Sequence, residues 1–148
     1  MNPTEVEVND RIESLIIDLE LPFEQVDDGL WLIHDEVDYI DNIVVYHNFP
    51  VLTFRVKLVD LPEGEVNPEL FRRLLELNAT SMIAGAYGLE DNSVVIVDTI
   101  QSENLDANEL QGSIDAIALA VREHYSELRS IVDGEEVGQS TAEAASQA

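Results

Sequence analysis

The stretch that decides the fold of this chain reads VLTFRVKLV and runs from Val51 to Val59. Every second residue from Leu52 to Leu58 is large and apolar, and the residues between them include Arg55 and Lys57. Such alternation is typical of a β-strand that has one face in a hydrophobic core. This segment is therefore predicted to be a strand of a half-buried sheet, and its other face carries two of the seven basic residues of the chain.

Four further segments on either side of this strand are predicted to be strands as well. They are rich in β-branched, aromatic or small apolar residues, and turn signals bound them. The segments are residues 30–33, 43–46, 81–89 and 93–100. Because strands follow one another along the chain, hairpins and an antiparallel sheet are expected.

Three helices are predicted from the helical spacing of apolar residues and from capping residues. The first runs from Thr4 to about Leu19, and the third follows the N-cap Asp106 and ends at Val132. The second begins at Pro68 and ends near Asn78, a residue type that tolerates a left-handed C-terminal position. The order α-β-β-β-α-β-β-α predicts an α+β fold with three helices and a mainly antiparallel five-stranded sheet.

Residues 1–132 are predicted to form a single domain, since a chain of 148 residues has the size of one hydrophobic core. Residues 133–148 contain Gly, Ser, Ala, Gln and acidic residues, and Val137 is their only bulky apolar side chain. We expect this segment to be a disordered acidic tail.

The charge of the chain limits the kinds of partner that it is expected to bind. It has 31 acidic and 7 basic residues, which give a formal charge of −24. Neither nucleic acid nor a membrane surface is expected as a partner, because both carry anionic groups that attract Lys and Arg. Cys is absent, which excludes thiol chemistry and Cys-ligated metal sites. The N-terminus lacks the pattern of a secretory signal, so a cytoplasmic location is expected.

The predicted strands carry more apolar surface than helices on one face of a sheet would cover. Residues 30–33, 43–46 and 94–97 do not alternate, so some of their side chains would form an apolar patch on the outer face. We expect a partner to cover this patch; the alternative is cover within the chain itself. The expected partner-binding residues are Trp31, Tyr46, Arg55 and Lys57.

A second surface is predicted where small residues follow one another in the segment 81–89. Glycine inside a strand marks a bulge or the close approach of another backbone. If a second subunit approaches there, Ala84, Gly85 and Ala86 are dimer-interface residues. The alternative is tight packing of the second helix on this strand.

Patterns of catalytic and metal-binding residues are weak in this sequence. The histidines His34, His47 and His124 lack zinc-ligand spacing, and no serine lies in a Gly-x-Ser-x-Gly turn. The carboxylates between Asp27 and Asp41 lack the order of a calcium loop. We therefore expect no catalytic residue, no metal and no cofactor. A divalent-ion-dependent enzyme built on these carboxylates and an acidic decoy of a nucleic-acid-binding protein are the alternatives.

Five strings of residues, taken in this order, resemble the YbjN-type family of bacterial proteins, its cyanobacterial members in particular. The strings are QVDDGLW at 25–31, VLTFRV at 51–56, LLELNAT at 74–80, AYGL at 86–89 and ENLD at 103–106. The family is described as sensory transduction regulators, and its fold is similar to that of class I type III secretion chaperones of the Tir-chaperone type. The resemblance covers roughly residues 4–132.

The resemblance implies a small acidic homodimer without enzymatic activity. In the chaperone branch, the outer sheet surface and the first helix cradle an extended segment of a client protein. No catalytic motif is carried over to this chain. The implied function is a chaperone-like or regulatory module that binds a segment of another protein.

Overall fold

The computed structural model describes residues 3–34 and 42–134. The helices are α1 Pro3–Asp18, α2 Pro68–Thr80 and α3 Ala107–Asp133. The strands are β1 Phe23–Asp27, β2 Leu30–Ile33, β3 Ile43–Asn48, β4 Val51–Asp60, β5 Ala86–Glu90 and β6 Ser93–Gln101. The α+β class and the three predicted helices are confirmed, but these strands form a six-stranded sheet rather than a five-stranded one.

The sheet is antiparallel, and its strand order is β1-β2-β3-β4-β6-β5. The stretch that begins at Val51 forms β4, which pairs with β3 on one side and with β6 on the other. Strands β1 and β5 lie at the two edges. The sequence therefore predicted the longest interior strand correctly, and it missed a strand at an edge.

The helices cover one face of the sheet, and the hydrophobic core lies between them. The cross-strand neighbours Trp31, Val45 and Phe54 are fully buried on this face. Helix α3 crosses β4 and β6 and contacts both other helices, while α2 also packs on β5. The large apolar residues that α3 buries are Leu110, Ile114, Ile117, Val121, Leu128 and Val132.

Strand β1 is the strand that the sequence did not predict. Four of its five residues are exposed, so its sequence shows no alternation between buried and exposed positions. It forms because it pairs with β2 across a tight turn, in which Gly29 adopts a φ of 69°. A left-handed conformation of this kind favours glycine.

The prediction of a strand over residues 81–89 was correct only in its second half. The chain bends before Ala86, and Gly85 has a φ of 75° there. Helix α2 extends to Thr80, beyond its predicted end at Asn78, and Ser81 is its C-cap.

The third helix ends one residue beyond Val132, and Gly134 caps it with a φ of 75°. The rest of the predicted tail, residues 135–148, lies outside the described residues.

Candidate interaction surface

The face of the sheet that the helices leave uncovered is the outer face. Its central cross-strand row joins Leu32, Val44, Arg55 and Val97, all of which are half-buried. Val95 also belongs to this face but is buried. The outer face thus combines half-buried apolar side chains with at least one apolar position, Val95, that is covered within the chain itself.

Three of the predicted partner-binding residues share this outer face. The Arg55 guanidinium lies 5.7 Å from the ring centroid of Tyr46, and its Nη1 lies 2.7 Å from Glu90 Oε2. The Nζ atom of Lys57 lies 3.4 Å from Asp60 Oδ1. Since each cation already has a carboxylate within the chain, this part of the face offers a partner mainly aromatic and apolar contact.

The structure corrects the expectation for Trp31. Its side chain is fully buried under α1, and its indole Nε1 donates a hydrogen bond to Glu13 Oε1 at 3.3 Å. The reason is the register: Trp31 pairs with Val45 on the helix-covered face, so its neighbours Leu30 and Leu32 face outward instead. Trp31 is therefore a core residue and offers no surface to a partner.

Packing within the chain itself explains the small residues before β5. A Cβ atom on Gly85 would lie 2.9 Å from the Val97 carbonyl oxygen of β6, so only glycine fits this approach. The close neighbour is thus β6, whereas the sequence suggested either α2 or a second subunit. Ala84 is half-buried and Ala86 is exposed, so both still border the surface beside β5.

A groove of about 260 Å³ lies between α2 and β5. We call it the α2–β5 groove; its lining residues are Phe71, Leu74, Leu75, Asn78, Tyr87, Gly88 and Leu89. Leu75 is 70% exposed and Leu89 is 48% exposed, and Ile83, just before β5, is 77% exposed. A contiguous group of large exposed apolar side chains is rare in a single protein chain and usually marks a surface that a partner covers.

The sequence of α2 carries a signal for this groove in the width of its apolar stripe. Leu70, Leu74 and Leu77 are the buried residues of α2 and form one helical stripe. Phe71 and Leu75 extend the apolar surface beyond that stripe, although one stripe is enough to dock a helix on a sheet. An apolar stripe wider than docking needs indicates a second contact surface.

Tyr87 connects the floor of the groove to both neighbouring helices. Asn78 of α2 bonds to its backbone, and its hydroxyl lies 2.7 Å from His124 Nδ1 of α3. Burial raises the pKa of Tyr87, and the nearby Glu127 and Glu123 add to this rise. Burial also lowers the pKa of His124, and this effect outweighs the opposite influence of the two glutamates.

A serine, a histidine and an asparagine form a chain of hydrogen bonds at the other end of the molecule. His47 Nε2 lies 2.7 Å from Ser102 Oγ, and His47 Nδ1 lies 2.6 Å from Asn9 Oδ1. Burial lowers the pKa of His47. Ser102 is only 1% exposed, so a substrate carbonyl cannot reach its hydroxyl in this structure. The network joins α1, β3 and the segment before α3.

Carboxylates give no metal centre in the part of the chain that the structure describes. Within residues 3–34 and 42–134, no group of three or more His, Asp or Glu side chains could hold a metal ion. The predicted cluster between Asp27 and Asp41 falls mostly on residues 35–41, which lie outside the described residues. No helix in the described ranges has both the length and the apolar character needed to cross a membrane.

Solved structures with this fold include type III secretion chaperones. A chain of the HopA1–SchA chaperone–effector complex matches with a TM-score of 0.62 at 12% identity, covering 86% of this chain and 98% of that one. A chain of the ExoU–SpcU complex from Pseudomonas aeruginosa matches with a TM-score of 0.60 at 17% identity, covering 83% and 98%. YbjN from E. coli matches with a TM-score of 0.60 at 13% identity, covering 80% and 91%. At these identities the likeness shows the fold.

A search among curated proteins finds no match to this sequence. The profile of one family of type III secretion chaperones, CesT_Tir_1, matches residues 5–133. The match spans all three helices and all six strands apart from the first residues of α1. The chain therefore belongs to the CesT_Tir_1 family.

Proposed function

We propose that this chain is a non-enzymatic module that binds a segment of another protein as a homodimer. The observation that carries the proposal is the group of exposed aliphatic side chains beside β5, namely Leu75, Ile83 and Leu89. Membership in a chaperone family and the fold shared with chains of chaperone–effector complexes support a protein partner.

The α2–β5 groove is the proposed contact between the two copies. Two chains of charge −24 repel each other, so they can associate only where the local charge is small. Beside the groove, Arg73 forms ion pairs with Glu76 and Glu127, and Arg72 also pairs with Glu76. Apolar residues in a locally balanced surface suit self-association. Ala84 and Ala86 border this surface at the start of β5, Ala86 from the outer face of the sheet.

The outer face of the sheet is the proposed site for the partner segment. Tyr46 and Arg55, whose charge is balanced by Glu90, form its centre, with Val44 and Val97 beside them and Lys57 further along β4. A suitable segment is extended, has apolar side chains for this face and carries basic residues nearby. The net charge of −24 attracts such a segment and speeds its association.

Sedimentation equilibrium tests the homodimer. The wild-type chain should be dimeric at tens of micromolar, and Leu75→Glu should weaken the dimer at least about tenfold, since it places a carboxylate in a desolvated contact. The matched control is Ile17→Glu, because Ile17 of α1 is 56% exposed and lies outside the groove. A monomeric wild-type chain, or equal effects of the two variants, would contradict the proposal.

Photo-crosslinking tests the partner segment. A photoreactive residue in place of Val44 on the outer face should capture a specific protein from cells of the source organism, and Tyr46→Ser should abolish this capture. A photoreactive residue in place of Val66, which is 76% exposed in the segment before α2, is the control and should not capture the same protein. Capture that is independent of Tyr46, or equal from the two positions, would speak against this face.

A further inference from the structure

A side-chain amide pairs with the exposed edge of the sheet at β5. This strand has β6 as its only strand neighbour in the sheet that the structure describes. On its other side, the Tyr87 N–H donates to Asn78 Oδ1 at 2.7 Å, and Asn78 Nδ2 donates to the Tyr87 carbonyl at 3.1 Å. These are the two hydrogen bonds that a residue of an adjacent antiparallel strand would make with Tyr87.

The contact between Asn78 and Tyr87 blocks a large share of the hydrogen-bonding positions that β5 could offer to another strand. In an antiparallel strand, residues whose backbone groups face one neighbour alternate with residues that face the other neighbour. Since Tyr87 faces α2, Ala86 and Gly88 face β6, and Leu89 faces the same side as Tyr87. Tyr87 and Leu89 are thus the two residues within β5 whose backbone groups face away from β6, and Asn78 pairs with one of these two.

The amide is held firmly in this place. Asn78 lies in the last turns of α2, next to Leu74 and Leu77, whose burial fixes the helix on the sheet. Tyr87 is fixed from the other end by its hydroxyl contact with His124. An added strand would have to displace this side chain and break both of its hydrogen bonds to Tyr87.

Edge strands invite pairing with other chains, and proteins commonly protect them. We propose that Asn78 closes the β5 edge, so that the β5 strand of a second copy cannot pair with it and continue the sheet. Association on this side is then made by side chains of the α2–β5 groove. This gives a role to the asparagine in the LLELN string, residues 74–78. The proposal holds whether or not the groove is the dimer contact.

Amide hydrogen exchange of Asn78→Leu tests the closure. Leucine has the same branching and number of heavy side-chain atoms as asparagine and favours helix, but it removes both hydrogen bonds. At sub-micromolar concentration, the Tyr87 amide of the variant should exchange about tenfold faster than in the wild type. The amides of Ala86 and Gly88, which face β6, should change less. At high concentration, two copies of the variant should pair through β5. This pairing should raise the molecular mass measured in solution and slow the exchange of the Tyr87 amide again.

Asn67→Ala is the matched control, because it removes the N-cap of the same helix and a bond to the Ile131 carbonyl but leaves Asn78 in place. Equal acceleration at Tyr87 in this control would overturn the proposal, as would an Asn78→Leu protein that associates no more than the wild type. If Asn78→Leu does not fold, Asn78→Asp decides the question. Aspartate keeps the acceptor for the Tyr87 N–H, so fast exchange at Tyr87 in that variant would also overturn it.

Discussion

At the scale of single residues, Trp31 and Tyr87 show how aromatic residues carry polar groups into the core. Both rings are buried, and each polar atom finds a partner on a helix, Glu13 for Trp31 and His124 for Tyr87. A buried aromatic ring with an unpaired polar atom would be costly, so these contacts fix the helices relative to the sheet.

Replacing Trp31 tests its place in the core. Trp31→Ala should lower the free energy of unfolding by about 3–5 kcal/mol, because it leaves a cavity under α1. Urea titration followed by circular dichroism measures this loss. A loss below about 1 kcal/mol would be typical of a surface residue and would contradict the buried position. Because Trp31→Ala is expected to destabilise the fold, this variant cannot distinguish a loss of partner binding from a loss of stability.

His124 should make the protein sensitive to mild acid. Its pKa in the folded chain lies below the ordinary value of 6.5 because of burial, in an environment that also contains Tyr87, Glu123, Glu127 and Arg73. As the pH falls below 6.5, the unfolded chain takes up a proton that the folded chain does not, so the free energy of unfolding decreases.

Urea titrations of wild type and His124→Gln between pH 8 and pH 5.5 check this expectation. The difference between the two curves isolates the histidine, since the other titrating groups of the chain are common to both proteins. We expect the wild type to lose more stability than the variant over this range. Parallel curves would show that His124 titrates at its ordinary pKa.

At the scale of elements, the sequence predicted those parts whose periodicity comes from a single buried face. The alternation of β4 and the long apolar seam of α3 are of this kind, and both were placed to within a residue or two. Strand β1 and the bend before β5 could not be predicted in this way. The first is an exposed edge strand, and the second depends on the backbone of β6, which is distant in sequence.

The bend before β5 can be tested with a pair of glycines. Gly85→Ala and Gly64→Ala both place a side chain at a left-handed φ, which costs about 1–2 kcal/mol. Only at Gly85 would the new Cβ meet backbone, 2.9 Å from the Val97 oxygen, whereas nothing lies within 4 Å at Gly64. Thermal unfolding should therefore show a larger loss for Gly85→Ala. Equal losses would indicate that β6 moves aside.

At the scale of the whole molecule, the candidate site was predicted less well than the fold. The sequence indicated Tyr46, Arg55 and Lys57, which share the outer face, but it placed Trp31 there as well. A shift by one residue along a strand reverses its faces, and strands such as β2 that are apolar throughout give no sign of the register. Residues such as Leu75 and Leu89 come together only when α2 packs on β5.

The charge of the whole molecule predicts how salt affects self-association. Two copies of charge −24 repel each other over distances that added ions screen. Raising the NaCl concentration from about 0.05 M to about 0.5 M should therefore tighten the proposed dimer. Sedimentation equilibrium at both concentrations measures the change. Weaker association at high salt would indicate that ion pairs between the two copies hold them together.

The position of α3 at the end of the fold has a consequence for biosynthesis. Strands β1 to β4 can pair as soon as they leave the ribosome, because each neighbour in the sheet is also the next strand along the chain. Strand β6 must then insert between β4 and β5. The apolar face of the sheet stays uncovered until α3 packs on it. The nascent polypeptide thus exposes apolar surface until α3 has been synthesised, and we expect molecular chaperones to bind it during that interval.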